Sequence, residues 1–97
     1  MFSVSHFSKK YSSESSSSNA KIRYDKIAAT QKWAEYTFDV EQMSKLLISV
    51  KNLKEKYALM DAIDIAQRKR KWHYNHKNFN LNIANNLIRE FKRIHKL

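Results

Sequence analysis

The sequence of 97 residues contains neither glycine nor proline. Glycine adopts a positive φ at the lowest energetic cost, so glycine-dependent hairpin turns and glycine-rich phosphate-binding loops are disfavoured in this chain. Cysteine is missing as well, which excludes disulfides and zinc sites built from thiolates. Together with the helical spacing of the apolar residues, these absences predict an all-α, elongated protein of three or four helices.

The chain is short and strongly basic. Nineteen lysines and arginines against nine acids give a formal net charge of +10 at pH 7. A field of this sign favours anionic partners and opposes self-association, so we do not expect a self-sufficient homo-oligomer. The length excludes a multidomain enzyme. Purely apolar runs, such as residues 46–48, are no longer than three or four residues, far short of the ~20 residues that a membrane-spanning helix needs, so we expect no transmembrane span.

Residues 1–20 differ in composition from the rest of the chain and are interpreted as a leader. They include nine serines, and Glu14 is their only acid. A serine-rich, basic and acid-poor segment is typical of a mitochondrial targeting sequence. Residues 9–13 also resemble the presequence cleavage pattern, in which a basic residue, any residue and an aromatic residue precede a small residue. The alternative is a solvated tail. We favour a mitochondrial location, in the matrix or on the matrix side of the inner membrane.

Residues 21–97 form the predicted basic helical domain. Its alanines and apolar residues predict a short helix near residues 22–36. Asp39 is then the predicted N-cap of the next helix, because Gln42 three residues later completes a variant of the capping box. Asn80 is the predicted N-cap of the last helix, whose apolar residues recur at helical spacing: Ile83, Leu87, Phe91 and Ile94, with Ile88 beside them.

An apolar stripe runs through the centre of the chain in steps of three or four residues. Nothing between residues 40 and 70 breaks a helix, so two alternatives remain: one long helix, or a helical hairpin bent near residues 55–58. A helix of roughly 30 residues would be about 45 Å long and could not bury its stripe against only two short neighbours. We therefore expect the stripe to dock onto a partner protein through Met43, Leu47, Val50, Leu53, Tyr57, Met60 and Ile63.

The segment of residues 68–77 carries five positive charges, two aromatic rings besides its histidines, and no acid. Lysine and arginine neutralise phosphates, and aromatic rings offer flat faces on which an unpaired base can stack. This pattern predicts contact with RNA through Arg68, Lys69, Arg70, Lys71, Trp72, Tyr74 and Lys77. The alternative is that the cations only complement the dipole at the end of a helix, while Trp72 packs on a neighbouring helix.

Other titratable residues give weaker signals. His73 and His76 are three residues apart, but no cysteine can join them and the surrounding charge repels a cation, so we expect no metal. Asp61 and Asp64 are paired at helical spacing, yet a few short helices seldom supply the water-poor pocket that acid–base catalysis needs. We therefore expect no cofactor and no catalytic residue, and we interpret the protein as a non-enzyme.

These features favour a structural subunit of a larger mitochondrial assembly. Our first hypothesis is a small ribosomal or other ribonucleoprotein subunit that contacts RNA phosphate. The second is an accessory subunit of a respiratory-chain complex or ATP synthase, docked through its apolar stripe, with its cations near anionic lipid headgroups. A free DNA-binding helical module ranks third, because no recognition-helix turn can be placed in the sequence.

Overall fold

The computed structural model describes residues 3–11, 26–74 and 80–96. These residues form four α-helices and no strand: α1 (Val4–Lys10), α2 (Lys26–Ser49), α3 (Leu53–Tyr74) and α4 (Leu81–Ile94). The all-α class and the number of helices are therefore confirmed. The principal extents are 40 × 32 × 18 Å, so the molecule is long in two directions and thin in the third. None of the described helices is long and apolar enough to cross a membrane.

Helices α2 and α3 pack along each other as a hairpin that turns at residues 50–52. Asn52, the last residue of the turn, caps the start of α3. Its side-chain oxygen accepts a hydrogen bond from the backbone N–H of Glu55 (3.2 Å), and its carbonyl accepts one from Lys56 (2.9 Å). An asparagine that satisfies free N–H groups in this way starts a new helix without glycine or proline. Of the two alternatives the hairpin is confirmed, but its bend precedes the predicted residues 55–58.

The predicted N-cap at Asp39 is wrong. Asp39 lies inside α2, which runs without a break from Lys26 to Ser49 and so continues past the end of the short helix predicted near residues 22–36. Its side chain is buried and accepts hydrogen bonds from the hydroxyl of Tyr11 (2.5 Å) and from Nζ of Lys10 (2.7 Å). A buried carboxylate needs such partners to offset its lost hydration. These partners are the last residue of α1 and the residue that caps it, so the local sequence around Asp39 could not reveal them.

Helix α1 lies against α3 and α2 and contributes to the main core. Phe7 and Tyr11 are 0% and 2% exposed, respectively. They join a core of Met43, Leu59, Ala62 and Ala66, which are also buried. The described part of the predicted leader is thus packed on the helical domain rather than solvated. The serine run of residues 15–18 lies outside the described residues.

Helix α4 packs on α2. The prediction that Asn80 caps it is confirmed, because the Asn80 side-chain oxygen accepts from the backbone N–H of Ile83 at 3.1 Å. The backbone N–H of Asn80 itself donates to the hydroxyl of Thr30 on α2, also at 3.1 Å. At the other end, Lys96 has a φ of 55°. In a chain without glycine, a lysine occupies the left-handed position that follows the helix.

Candidate nucleic-acid interface

The predicted RNA-binding residues lie in the last turns of α3, except Lys77, which lies outside the described residues. Four of them, residues 68–71, are consecutive. Successive side chains on an α-helix are about 100° apart, so four adjacent cations point to different sides of α3. The helix therefore divides the predicted site between two surfaces.

One surface is a groove between α2 and α3. Trp33 contributes from α2, and α3 contributes Gln67, Arg70, Lys71 and Tyr74. The four α3 residues follow the spacing i, i+3, i+4 and i+7 and thus share one face of the helix. The cavity volume is ≈ 460 Å³. We call it the α2–α3 groove. Its described lining holds two cations, two aromatic rings and one amide, with no acid.

The other two cations face α1. Nζ of Lys69 lies 5.9 Å from the centroid of the Tyr11 ring, within the range of a cation–π contact. Arg68 forms an ion pair with Asp64 one turn earlier on α3. Both partners of this pair are exposed, so water screens their attraction and leaves the arginine able to exchange partners. These cations therefore strengthen the field around the end of α3 without lining the α2–α3 groove.

Trp72 and His73 occupy different environments although they are adjacent. Trp72 is 46% exposed, whereas His73 is 4% exposed. The His73 ring lies edge-on to the Trp72 ring, with their centroids 5.1 Å apart. Its centroid also lies 5.6 Å from that of the Tyr36 ring on α2. His73 is thus part of the packing between α2 and α3. His76, the other member of the predicted histidine pair, lies outside the described residues.

An ionic network beside this end of the molecule holds α1 in place. Nζ of Lys10 lies 2.6 Å from Glu35 and 2.7 Å from Asp39. Burial acts against the charged ammonium, but the hydrogen bonds to the two carboxylates outweigh it and raise the pKa of Lys10. Burial and the hydrogen bond to Asp39 raise the pKa of Tyr11. Glu35 and Asp39 are thus engaged by Lys10, and no acid belongs to the described lining of the α2–α3 groove.

No protein-family model matches this chain, and neither does a curated protein or a solved structure. The chemistry of the α2–α3 groove and of the exposed surface is therefore the basis on which a function can be proposed.

The residues predicted to dock a partner are divided between the interior and the surface. Met43 is 0% exposed and belongs to the core of the chain itself, so it is not accessible to a partner. Three more pack against that core: Leu47, Val50 and Ile63. The remaining three, Leu53, Tyr57 and Met60, are 63%, 59% and 47% exposed. Because their spacing is i, i+4 and i+7, they share one side of α3, which we call the exposed α3 face.

Two residues of the α2–α3 groove were missed by the sequence analysis. Trp33 lies 34 residues before Gln67 in the chain, and only the antiparallel packing of α2 and α3 brings the two together. The available signal for Trp33 was the presence of aromatic residues on both sides of the central segment. Gln67 could have been found from its helical spacing to Lys71 and Tyr74.

Proposed function

We propose that this chain is a non-catalytic RNA-binding subunit of a mitochondrial ribosomal or other ribonucleoprotein assembly. The observation that carries the proposal is the composition of the α2–α3 groove. Arg70 and Lys71 supply positive charge there, Trp33 and Tyr74 supply aromatic rings, and no described acid lines it. Cations next to flat rings match the two chemical parts of a nucleotide, the phosphate and the base.

A non-catalytic role is supported by the state of the acids near this end of the molecule. Asp64 is paired with Arg68, and Asp61 is exposed on the same helix. Solvated carboxylates of this kind lack the enclosed, water-poor pocket that acid–base catalysis needs. They are better suited to balancing the surrounding cations.

The test is the salt dependence of RNA binding. Replacing Arg68, Lys69, Arg70 and Lys71 by glutamine should lower the slope of log affinity against log salt by up to about 3 units, since each phosphate contact on a single strand contributes roughly 0.7. The matched control replaces Lys45, Lys51, Lys54 and Lys56 by glutamine. These lysines lie around the turn between α2 and α3, so the control removes the same charge roughly 20 Å away along α3 and should change the slope less. Equal slopes in the two variants would refute a specific role for the end of α3.

A second candidate function is that of an accessory subunit of a respiratory-chain complex or ATP synthase. It is favoured by the exposed α3 face, because Leu53 and Tyr57 are both more than half exposed. Nearby lysines would then lie close to anionic lipid headgroups. Replacing Leu53 and Tyr57 together by aspartate should release the protein from its complex while leaving RNA affinity unchanged. Retention in the complex would exclude the exposed α3 face as the docking surface.

The mitochondrial location rests on the composition of residues 1–20 and is a proposal of its own. Because Phe7 and Tyr11 lie in the core, we expect α1 to remain in the mature protein. A fusion of residues 1–25 to a reporter protein should be imported, and the intact mass of the protein recovered from mitochondria should still include α1. A reporter that stays in the cytosol would contradict the location.

A further inference from the structure

We infer that the α2–α3 groove binds single-stranded RNA by stacking one unpaired base against Trp33 and Tyr74, with the adjoining phosphates on Arg70 and Lys71. This inference rests on the proposed function and specifies its ligand. It adds a residue, Trp33, that lies far outside the basic segment of the sequence.

The arrangement of the lining supports a single base rather than a free metabolite. Trp33 approaches from α2, and Tyr74 approaches from the last turn of α3. The cavity of ≈ 460 Å³ lies within the range of small-ligand sites, roughly 300–1,000 Å³. The groove is open along the surface, however, so it cannot enclose a ligand on all sides. An open groove suits one base of a chain whose backbone continues over the protein.

The cations of the groove lie on the same helix as one of its aromatic rings, within one turn of it. Arg70 and Lys71 are adjacent on α3 and precede Tyr74 by one helical turn. A guanidinium can hold two phosphate oxygens at once, whereas an ammonium acts as a point charge. Gln67, one further turn back, adds an amide that can both donate to and accept from the edge of a base.

The bases of an RNA duplex could not stack on the aromatic rings of this groove. In double-stranded RNA each base is paired and stacked between its neighbours, so its flat face is not accessible to a protein ring. Stacking on aromatic side chains tolerates every base, because every base has a π-face. The groove should therefore discriminate between single and double strands much more strongly than among base sequences.

The experiment uses the full chain with Trp72→Phe, which leaves Trp33 as the single tryptophan because the sequence contains two. A 12-nucleotide oligouridine should quench the fluorescence of Trp33 on binding. A duplex RNA and inorganic polyphosphate of matched charge should bind with little quenching. Equal quenching by the duplex and the oligouridine would overturn the inference.

Substitution of Trp33 tests the same contact by affinity. Trp33→Leu keeps an apolar side chain but removes the aromatic face. It should weaken oligouridine binding by about 5- to 150-fold, the range that corresponds to 1–3 kcal/mol per stacked base. Its affinity for polyphosphate should not change, and Trp33→Phe should recover part of the loss. Circular dichroism and the melting temperature show whether each variant is folded, and the Trp33→Phe comparison keeps the test valid if Trp33→Leu is destabilised.

The outcomes separate this inference from the function on which it rests. If single strands, duplex and polyphosphate bind alike and Trp33→Leu changes none of them, the stacking site is refuted while binding through phosphate stands. If no polyanion binds with a salt dependence that the cations of residues 68–71 control, both are refuted. Selective loss of oligouridine affinity in Trp33→Leu supports both.

Discussion

Replacing Tyr11 by phenylalanine removes one hydroxyl group on which a buried carboxylate depends. Tyr11 and Asp39 are 2% and 3% exposed, and the hydroxyl donates to the carboxylate at 2.5 Å. In the variant, Asp39 keeps its contact with Lys10 but loses the second donor. A hydrogen bond to a charged group contributes about 1.5 to 3 kcal/mol, so we expect the free energy of unfolding to fall by roughly 2 kcal/mol.

The expected change is large enough to measure by thermal unfolding followed with circular dichroism. In a domain of this size, 1 kcal/mol shifts Tm by roughly 4–8 °C, so Tyr11→Phe should lower Tm by about 8 to 16 °C. The matched control is Tyr57→Phe, which removes the same atom from a ring that is 59% exposed and should change Tm by only a degree or two. Equal Tm values for the two variants would show that α1 is not docked through Asp39.

Tyr11→Phe should also change how the stability of the protein depends on pH. The pKa of Tyr11 is raised by burial and by its hydrogen bond to Asp39, while an unfolded tyrosine ionises near pH 10. Above about pH 10 the unfolded state loses a proton that the folded state retains, so stability falls as pH rises, by up to about 1.4 kcal/mol per pH unit for this group. Tyr11→Phe lacks this component. The difference in the free energy of unfolding between the wild type and Tyr11→Phe should therefore narrow above pH 10. A difference that stays constant with pH would contradict the raised pKa of Tyr11.

Three further predictions concern helix ends and packing. Asn80→Ala removes the cap that accepts from Ile83 and should cost about 1 kcal/mol, measured by urea unfolding, whereas the same change at an exposed asparagine within α4 should cost less. Lys96→Gly should raise stability by up to about 1 kcal/mol, because glycine adopts the φ of 55° without strain, and a fall in Tm would contradict this. Leu59→Ala should cost about 2 to 5 kcal/mol, since Leu59 is 0% exposed, while Met60→Ala, at 47% exposed, should cost under half of that in the same assay.

The helix ends show how far the sequence alone could lead. Asn80 and Asp39 were both predicted as N-caps from a suitable residue followed by a helical pattern, and only Asn80 is one. The true start of α3 has an equally local signal, because Asn52 is followed three residues later by Glu55 as in a capping box. What distinguishes Asp39 is that its partners come from the C-terminal end of α1 and its cap, 28 and 29 residues earlier. Local patterns identify candidate N-caps, whereas tertiary contacts decide which of them start a helix.

The charged residues of the candidate site show the same limit of prediction from local sequence. Residues 68–71 are the densest run of cations in the sequence, but a helix distributes them around its circumference, so only Arg70 and Lys71 line the α2–α3 groove. The aromatic ring that completes the groove, Trp33, comes from the partner helix of the hairpin. The salt dependence of binding therefore measures the total field at this end of the molecule, to which all four cations contribute. Substitution of Trp33 instead tests whether a base stacks in the α2–α3 groove. A protein that merely attracts polyanions would respond only to the first change, and one that holds an unpaired base must respond to both.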